Sequence, residues 1–170
     1  VGGSAGVGKS RLAEECLGRA SAAGFRVDRA TASAAAGAVP LGAIAHLLPT
    51  GVDLSDPVAG FAAVAERLAA GPGRRRWVLL VDDMHLLDPA SAVLLRQLID
   101  TGVLLLIGTV RSGEPYGKAV TALRGGDAVR RVDLTVLNPE QIEALPLPEE
   151  LAVAGCARVS ASPRGCSAVA

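Results

Sequence analysis

The chain has 170 residues, no net charge and a mean hydropathy of +0.39; half its residues are hydrophobic and 2% are aromatic. That length fits one domain with a short appendage, and the composition excludes a wholly disordered chain or a globally basic nucleic-acid binder. Cys16, Cys156 and Cys166 are too far apart for a disulfide framework or a CxxC metal pair, which points to a reducing cytoplasm, and no apolar run approaches the roughly 18 residues of a membrane helix.

Residues 3–10 read Gly3-Ser4-Ala5-Gly6-Val7-Gly8-Lys9-Ser10 and match G-x-x-x-x-G-K-[ST], the P-loop pattern. Glycines let the backbone take positive φ, so successive N–H groups turn inward onto phosphate oxygens. Lys9 supplies a point charge for the β- and γ-phosphates, and the Ser10 hydroxyl is a Mg²⁺ ligand. The helix that follows adds its N-terminal dipole. The nucleotide-binding set is therefore Gly3, Ser4, Ala5, Gly6, Val7, Gly8, Lys9, Ser10 and Arg11.

Leu12, Ala13, Cys16, Leu17 and Ala20 recur at helical spacing, and Gly24 is the expected stop. Cys16 is expected to be a small core residue. Only Val1 and Gly2 precede the loop, where a P-loop fold places a whole strand, and no Met opens the chain. The first strand is expected to be largely missing and the chain to be a fragment.

Residues 25–31 alternate weakly, as a strand would, and 32–40 read as an Ala/Gly loop. Residues 41–48 predict a short helix closed by Pro49, with His46 packed on it. Asp56-Pro57 is an N-cap followed by Pro at the first helical position. That helix is expected to reach about Ala70 and to end at Gly71-Pro72-Gly73.

Arg74, Arg75 and Arg76 are read as solvated charge ahead of Trp77-Val78-Leu79-Leu80-Val81-Asp82-Asp83. The apolar run predicts a strand covered on both faces of a parallel sheet. Its carboxylates fall at the strand's C-terminal end, the edge where open α/β sheets bind ligands. Asp82 is the expected Mg²⁺ holder, through water, together with Ser10. Asp83 would orient or activate the attacking water. His85 is expected to anchor the loop that follows.

Asp88-Pro89 caps a helix over about 90–101, which Gly102 stops. Residues 103–111 predict a second buried strand ending at Arg111, a cation placed to sense the γ-phosphate. A helix over 115–123 and an edge strand over 130–134 complete the pattern, with Arg130 and Arg131 solvated. The β–α alternation implies a mostly parallel sheet with helices on both faces, a P-loop three-layer α/β sandwich. The catalytic set is Asp83, Lys9 and Arg111.

Residues 3–12, the Val39-Pro40-Leu41-Gly42 segment and Val81-Asp82-Asp83-Met84-His85-Leu86-Leu87-Asp88 resemble the ATPase module of large LuxR-family transcriptional regulators. These are signal-transducing ATPases with numerous domains, related to the AAA ATPases of replication-origin recognition. Thr109-Val110-Arg111 resembles that group's T-x-R sensor. The likeness spans about residues 1–145. It implies a five-stranded sheet with the T-x-R strand between the P-loop and acidic strands. It also implies ATP/ADP switching, and DNA binding only through a distant helix-turn-helix domain outside this chain. Nucleotide-dependent self-association is left open. The sequence after Leu145 departs from the family and reads as a truncated or frameshifted end, with a natural flexible tail as the alternative.

The expected organisation is an ATPase domain over 1–137 and a short helix start with an irregular tail over 138–170. The expected function is a Mg-ATP-dependent regulatory switch with slow hydrolysis, the isolated chain being a poor ATPase. Two other readings stay open: a P-loop small-molecule kinase, and a non-enzymatic nucleotide-binding remnant. The absence of N-K-x-D argues against a GTPase, and the absence of L-S-G-G-Q argues against an ABC ATPase.

Overall fold

Two glycines make the first strand, β1 (Gly2–Gly3), and the packing around Gly3 explains why. A Cβ there would lie 2.7 Å from Val7 Cγ2 and 2.8 Å from the Leu134 carbonyl oxygen. The computed structural model describes residues 1–51, 57–69, 76–125, 129–136 and 138. The Asp56 cap, the 71–73 stop, Arg74, Arg75, the helix expected after Asn138, Cys156 and Cys166 lie outside the described residues. The chain divides into two compact units, Val1–Val136 and Leu137–Ala170, and all elements below belong to the first.

Helix α1 (Lys9–Ala22) begins where Gly8 takes φ 91°. It ends in a Schellman motif: Gly24, at φ 85°, donates to the Ser21 carbonyl, and Phe25 donates to the Ala20 carbonyl. Ala13 is buried, while Leu17 and Ala20 are half-buried. Cys16 is exposed, contrary to expectation, because the buried stripe runs through Ala13, Leu17 and Ala20 and leaves it on the flank.

Strand β2 (Arg26–Thr31) forms as the alternation predicts. The loop expected at 32–40 contains a one-turn helix, α2 (Ala34–Gly37), capped by the Ser33 hydroxyl accepting from the Ala36 N–H. The helix expected at 41–48 is absent: turns lead to a 3-10 turn at Ala45–Leu47. Leu41 sits at φ 61°, outside the right-handed helical region, and this precludes a helix start there. His46 is exposed and its Nε2 lies 3.0 Å from the Arg29 carbonyl oxygen, so it ties this turn to β2 rather than packing on a helix.

Helix α3 (Pro57–Ala69) buries Phe61 and Val64. Strand β3 (Trp77–Asp82) is buried over its first five residues, as its apolar run predicts. Trp77, Leu79 and Val81 join Phe61, Val64, Leu94, Leu95 and Leu98 in one cluster. Val78 and Leu80 point the other way, by strand alternation, to the face that α1 covers. Helix α4 (Pro89–Asp100) starts at an Asp88 cap with Pro89 in its first turn, as the sequence predicts.

Residues 103–111 form two short strands, β4 (Leu104–Gly108) and β5 (Val110–Arg111), separated by Thr109. All strand pairs are parallel: β2-β3-β4 form one small sheet and β1-β5 another. The break marks a change of partner. The Thr109 N–H donates to the Val81 carbonyl at 3.0 Å, and the next N–H, of Val110, donates to the Val1 carbonyl at 2.9 Å. Residues 104–111 therefore run between β3 and β1. β4 is less buried than its apolar sequence predicts, with Leu105 44% exposed. Among the described residues it pairs with β3, while β1 is in register with Val110 and Arg111.

Helix α5 (Lys118–Arg124) starts three residues later than the expected position at Pro115. The edge strand expected at 130–134 is reduced to a parallel bridge between Gly2 and Asp133, flanked by bonds from Gly2 N–H to the Val132 carbonyl and from Leu134 N–H to the Gly2 carbonyl. The Val1 ammonium donates to the Gly108 carbonyl at 2.6 Å; burial lowers its pKa from the ordinary value, against the opposing pull of the Asp133 carboxylate. Arg76, Arg130 and Arg131 are exposed, and Arg131 pairs with Asp133 at 2.7 Å. Among the described residues no helix is long and apolar enough to cross a membrane.

Candidate functional site

Parallel pairing brings the C-terminal ends of β1, β2, β3 and β5 to one edge. Gly3 is in register with Arg111, and Thr31 with Asp82. The loop from Ser4 to Gly8 leaves β1 at this edge and enters α1. Gly6 and Gly8 take φ 78° and 91°, conformations that a side chain disfavours, and a Cβ at either would meet nothing within 4 Å. Among the described residues no side chain caps the start of α1, which leaves its first N–H groups to an anion.

Lys9 is only 8% exposed, and its Nζ donates to the Ser4 carbonyl at 2.7 Å. The ammonium thus closes across the loop. Ser4, Ala5, Gly6, Gly8, Ser10 and Arg11 are exposed, Val7 is half-buried, and Gly3 is buried. Arg111 is exposed at the end of β5, with its backbone beside Gly3.

Ser10 and Asp82 are 72 residues apart in sequence, yet the Ser10 hydroxyl lies 3.2 Å from Asp82 Oδ1 and 3.1 Å from Oδ2. A hydroxyl beside a carboxylate offers two oxygen ligands. Mg²⁺ suits such a pair, because it keeps several waters and needs few protein ligands. Among the described residues no group of three or more His, Cys, Asp or Glu gathers for a metal. The open positive-φ glycines, the uncapped helix start, the lysine and the Ser10–Asp82 pair fit a phosphate chain with a hard divalent cation.

Asp83 is held in a left-handed conformation, φ 50° and ψ 42°, immediately after β3. Its carboxylate is half-exposed, and its Oδ1 lies 3.9 Å from His85 Nδ1, too far for a hydrogen bond. His85 is nearly buried in the 3-10 turn Met84–Leu86, and among the described residues its Nδ1 has no hydrogen-bond partner.

Thr109 opens the T-x-R motif, and its side chain supports the site. Thr109 is fully buried; its hydroxyl donates to Asp82 Oδ1 and accepts from the Asp83 N–H at 3.0 Å. Its carbonyl accepts from the Met84 N–H at 2.9 Å. One side chain thus orients both members of the aspartate pair. Thr109→Val keeps the shape but leaves the Asp83 N–H without that acceptor, and should cost about 1–3 kcal/mol. Thermal unfolding is expected to show a melting temperature lower by several degrees, recovered in Thr109→Ser; equal melting of Thr109→Val and the parent would remove Thr109 from this role.

Arg29 also reaches the site, although no motif in the sequence marks it. It lies on β2, in register with Leu80, so strand alternation puts it on the same face as Asp82. Its Nη2 is 3.8 Å from Asp82 Oδ2. No spacing rule finds this contact, because the pairing of β2 with β3 is not written in either segment. No family model matches the chain, and a search of curated proteins finds no match to it.

Proposed function

We propose that residues 1–136 form a P-loop nucleotide-binding module that takes Mg-ATP and serves as an ATP/ADP switch. The observation that carries this reading is the Ser10–Asp82 contact at the mouth of the glycine loop, with bonds of 3.2 and 3.1 Å joining the two motifs. The loop's N–H groups and Lys9 would hold the phosphates, and Ser10 and Asp82 would hold the cation. Bound there, Mg²⁺ supplies neutralisation of phosphate-oxygen charge. Asp83 would accept the proton of the attacking water, and Arg111 would face the γ-phosphate. The resemblance of residues 3–12, 81–88 and 109–111 to LuxR-family regulator ATPases supports a place in a multidomain transcriptional regulator, with DNA contacted by a separate domain and with the module in the cytoplasm.

The direct test is binding of ATP and ADP to the purified 170-residue chain, with Mg²⁺ and with EDTA. Micromolar binding strengthened by Mg²⁺ supports the reading; no binding in either condition overturns it. Asp83→Asn is expected to keep ATP affinity within about twofold and to slow single-turnover phosphate release by about 100-fold or more, the usual weight of a general base. Unchanged release would remove Asp83 from the base role.

A further inference from the structure

The Asp82 carboxylate faces three groups. Ser10 contacts both of its oxygens, Thr109 donates to Oδ1, and the Arg29 guanidinium stands 3.8 Å from Oδ2. At that distance Arg29 acts on Asp82 through its field rather than through a hydrogen bond. The other terminal nitrogen of Arg29 is bound closely by Glu14 of α1. The backbone of Arg29 is fixed as well, by the β2–β3 register and by His46 Nε2 at 3.0 Å from its carbonyl oxygen. Arg29 thus stands between two carboxylates on different elements, one a proposed metal holder and the other outside both motifs.

We propose that Arg29, tethered by Glu14, sets the affinity of the Ser10–Asp82 pair for a divalent cation. The inference rests on the nucleotide-site reading above. The guanidinium occupies part of the field that a metal at Asp82 would use, so it weakens metal binding. Glu14 draws that charge toward α1 and limits the weakening. The pair therefore tunes the site against metal that is held too tightly to be released with product.

Opposite signs follow for the two partners. In a Mg²⁺ titration of the ADP-bound chain, Arg29→Met and Arg29→Gln are expected to tighten Mg²⁺ about threefold, the scale of a partly exposed charge pair. Glu14→Gln frees the guanidinium toward Asp82 and is expected to weaken Mg²⁺ about threefold. In the Arg29→Met background the same Glu14 change should have a clearly smaller effect, because its mediator is gone. ADP affinity in EDTA, measured in parallel, separates nucleotide binding from metal binding. A purely structural tie between β2 and α1 would lower stability in both variants and move Mg²⁺ affinity in one direction or not at all; that result overturns the inference while Mg²⁺-coupled ADP binding by the parent leaves the site reading standing. A parent chain that binds no ADP with or without Mg²⁺ overturns both.

Discussion

Lys9→Ala is expected to weaken ATP binding by about 100-fold or more and to change stability little. Lys9 is the only lysine in the first 117 residues, and its ammonium is enclosed by the loop it serves, 8% exposed and bonded to the Ser4 carbonyl at 2.7 Å. Holding the charge there before ligand arrives limits the side-chain entropy lost on binding. A charge-assisted hydrogen bond to phosphate contributes about 1.5–3 kcal/mol. Two such bonds exceed the roughly 2.7 kcal/mol that separates a 100-fold change in affinity. Loss of the Ser4 bond alone costs about 1 kcal/mol, so the folded state should survive. Titration with a fluorescent ATP analogue checks this, with thermal unfolding as the control for folding. Affinity within threefold of the parent would take residues 3–10 out of the nucleotide site.

The largest effect on stability is expected at Asp88. It is 3% exposed and caps α4, with Oδ1 accepting from the Ser91 N–H at 2.9 Å. The same Oδ1 accepts from the Leu41 N–H at 3.0 Å, across 47 residues, and the Ser91 hydroxyl binds Oδ2. Leu41 needs this bond: at φ 61° it sits in a region that bulky side chains avoid at a cost of about 1–2 kcal/mol. Asp88→Ala removes a helix cap, worth about 1 kcal/mol, and leaves a buried N–H without its acceptor, worth about 1–3 kcal/mol more. Together these amount to about 3 kcal/mol, or roughly 10 °C of melting temperature for a chain of this size. Asp88→Asn should lose far less, because both backbone bonds converge on Oδ1 and an amide oxygen can still accept them. Chemical denaturation of the two variants measures the contrast. Equal losses would show that the carboxylate charge matters more than the bonds.

Those two positions mark how far local reading extends. The glycine loop and the start of α1 are legible in residues 3–24 because they are local events: glycines permit positive φ, and Gly24 permits the terminating turn. β3 is legible because a strand buried on both faces has few polar positions, and α4 because Asp88-Pro89 is a complete start signal. Asp88 was readable as a cap, but its bond to Leu41 was not.

Other features are invisible along the chain for the same reason. Residues 41–48 carry a helical composition, yet the backbone turns at Leu41, where Asp88 holds it. Cys16 has helical spacing with apolar neighbours, yet it lies beside the covered stripe of α1. Residues 103–107 are uniformly apolar, yet Leu105 is 44% exposed on β4.

The candidate site divides along the same line. The kinds of residue it uses, a lysine, a serine, paired aspartates and a terminal arginine, follow from motifs whose spacing is local. Their meeting depends on parallel register between strands far apart in sequence. That register places Ser10 on Asp82, Thr109 beneath both aspartates and Arg29 beside them. Local conformation is governed by neighbouring residues through φ, ψ and side-chain capping, so sequence alone specifies the loop, the caps and the strand ends. Partner, face and register are set by burying many side chains at once, and only the folded chain decides them.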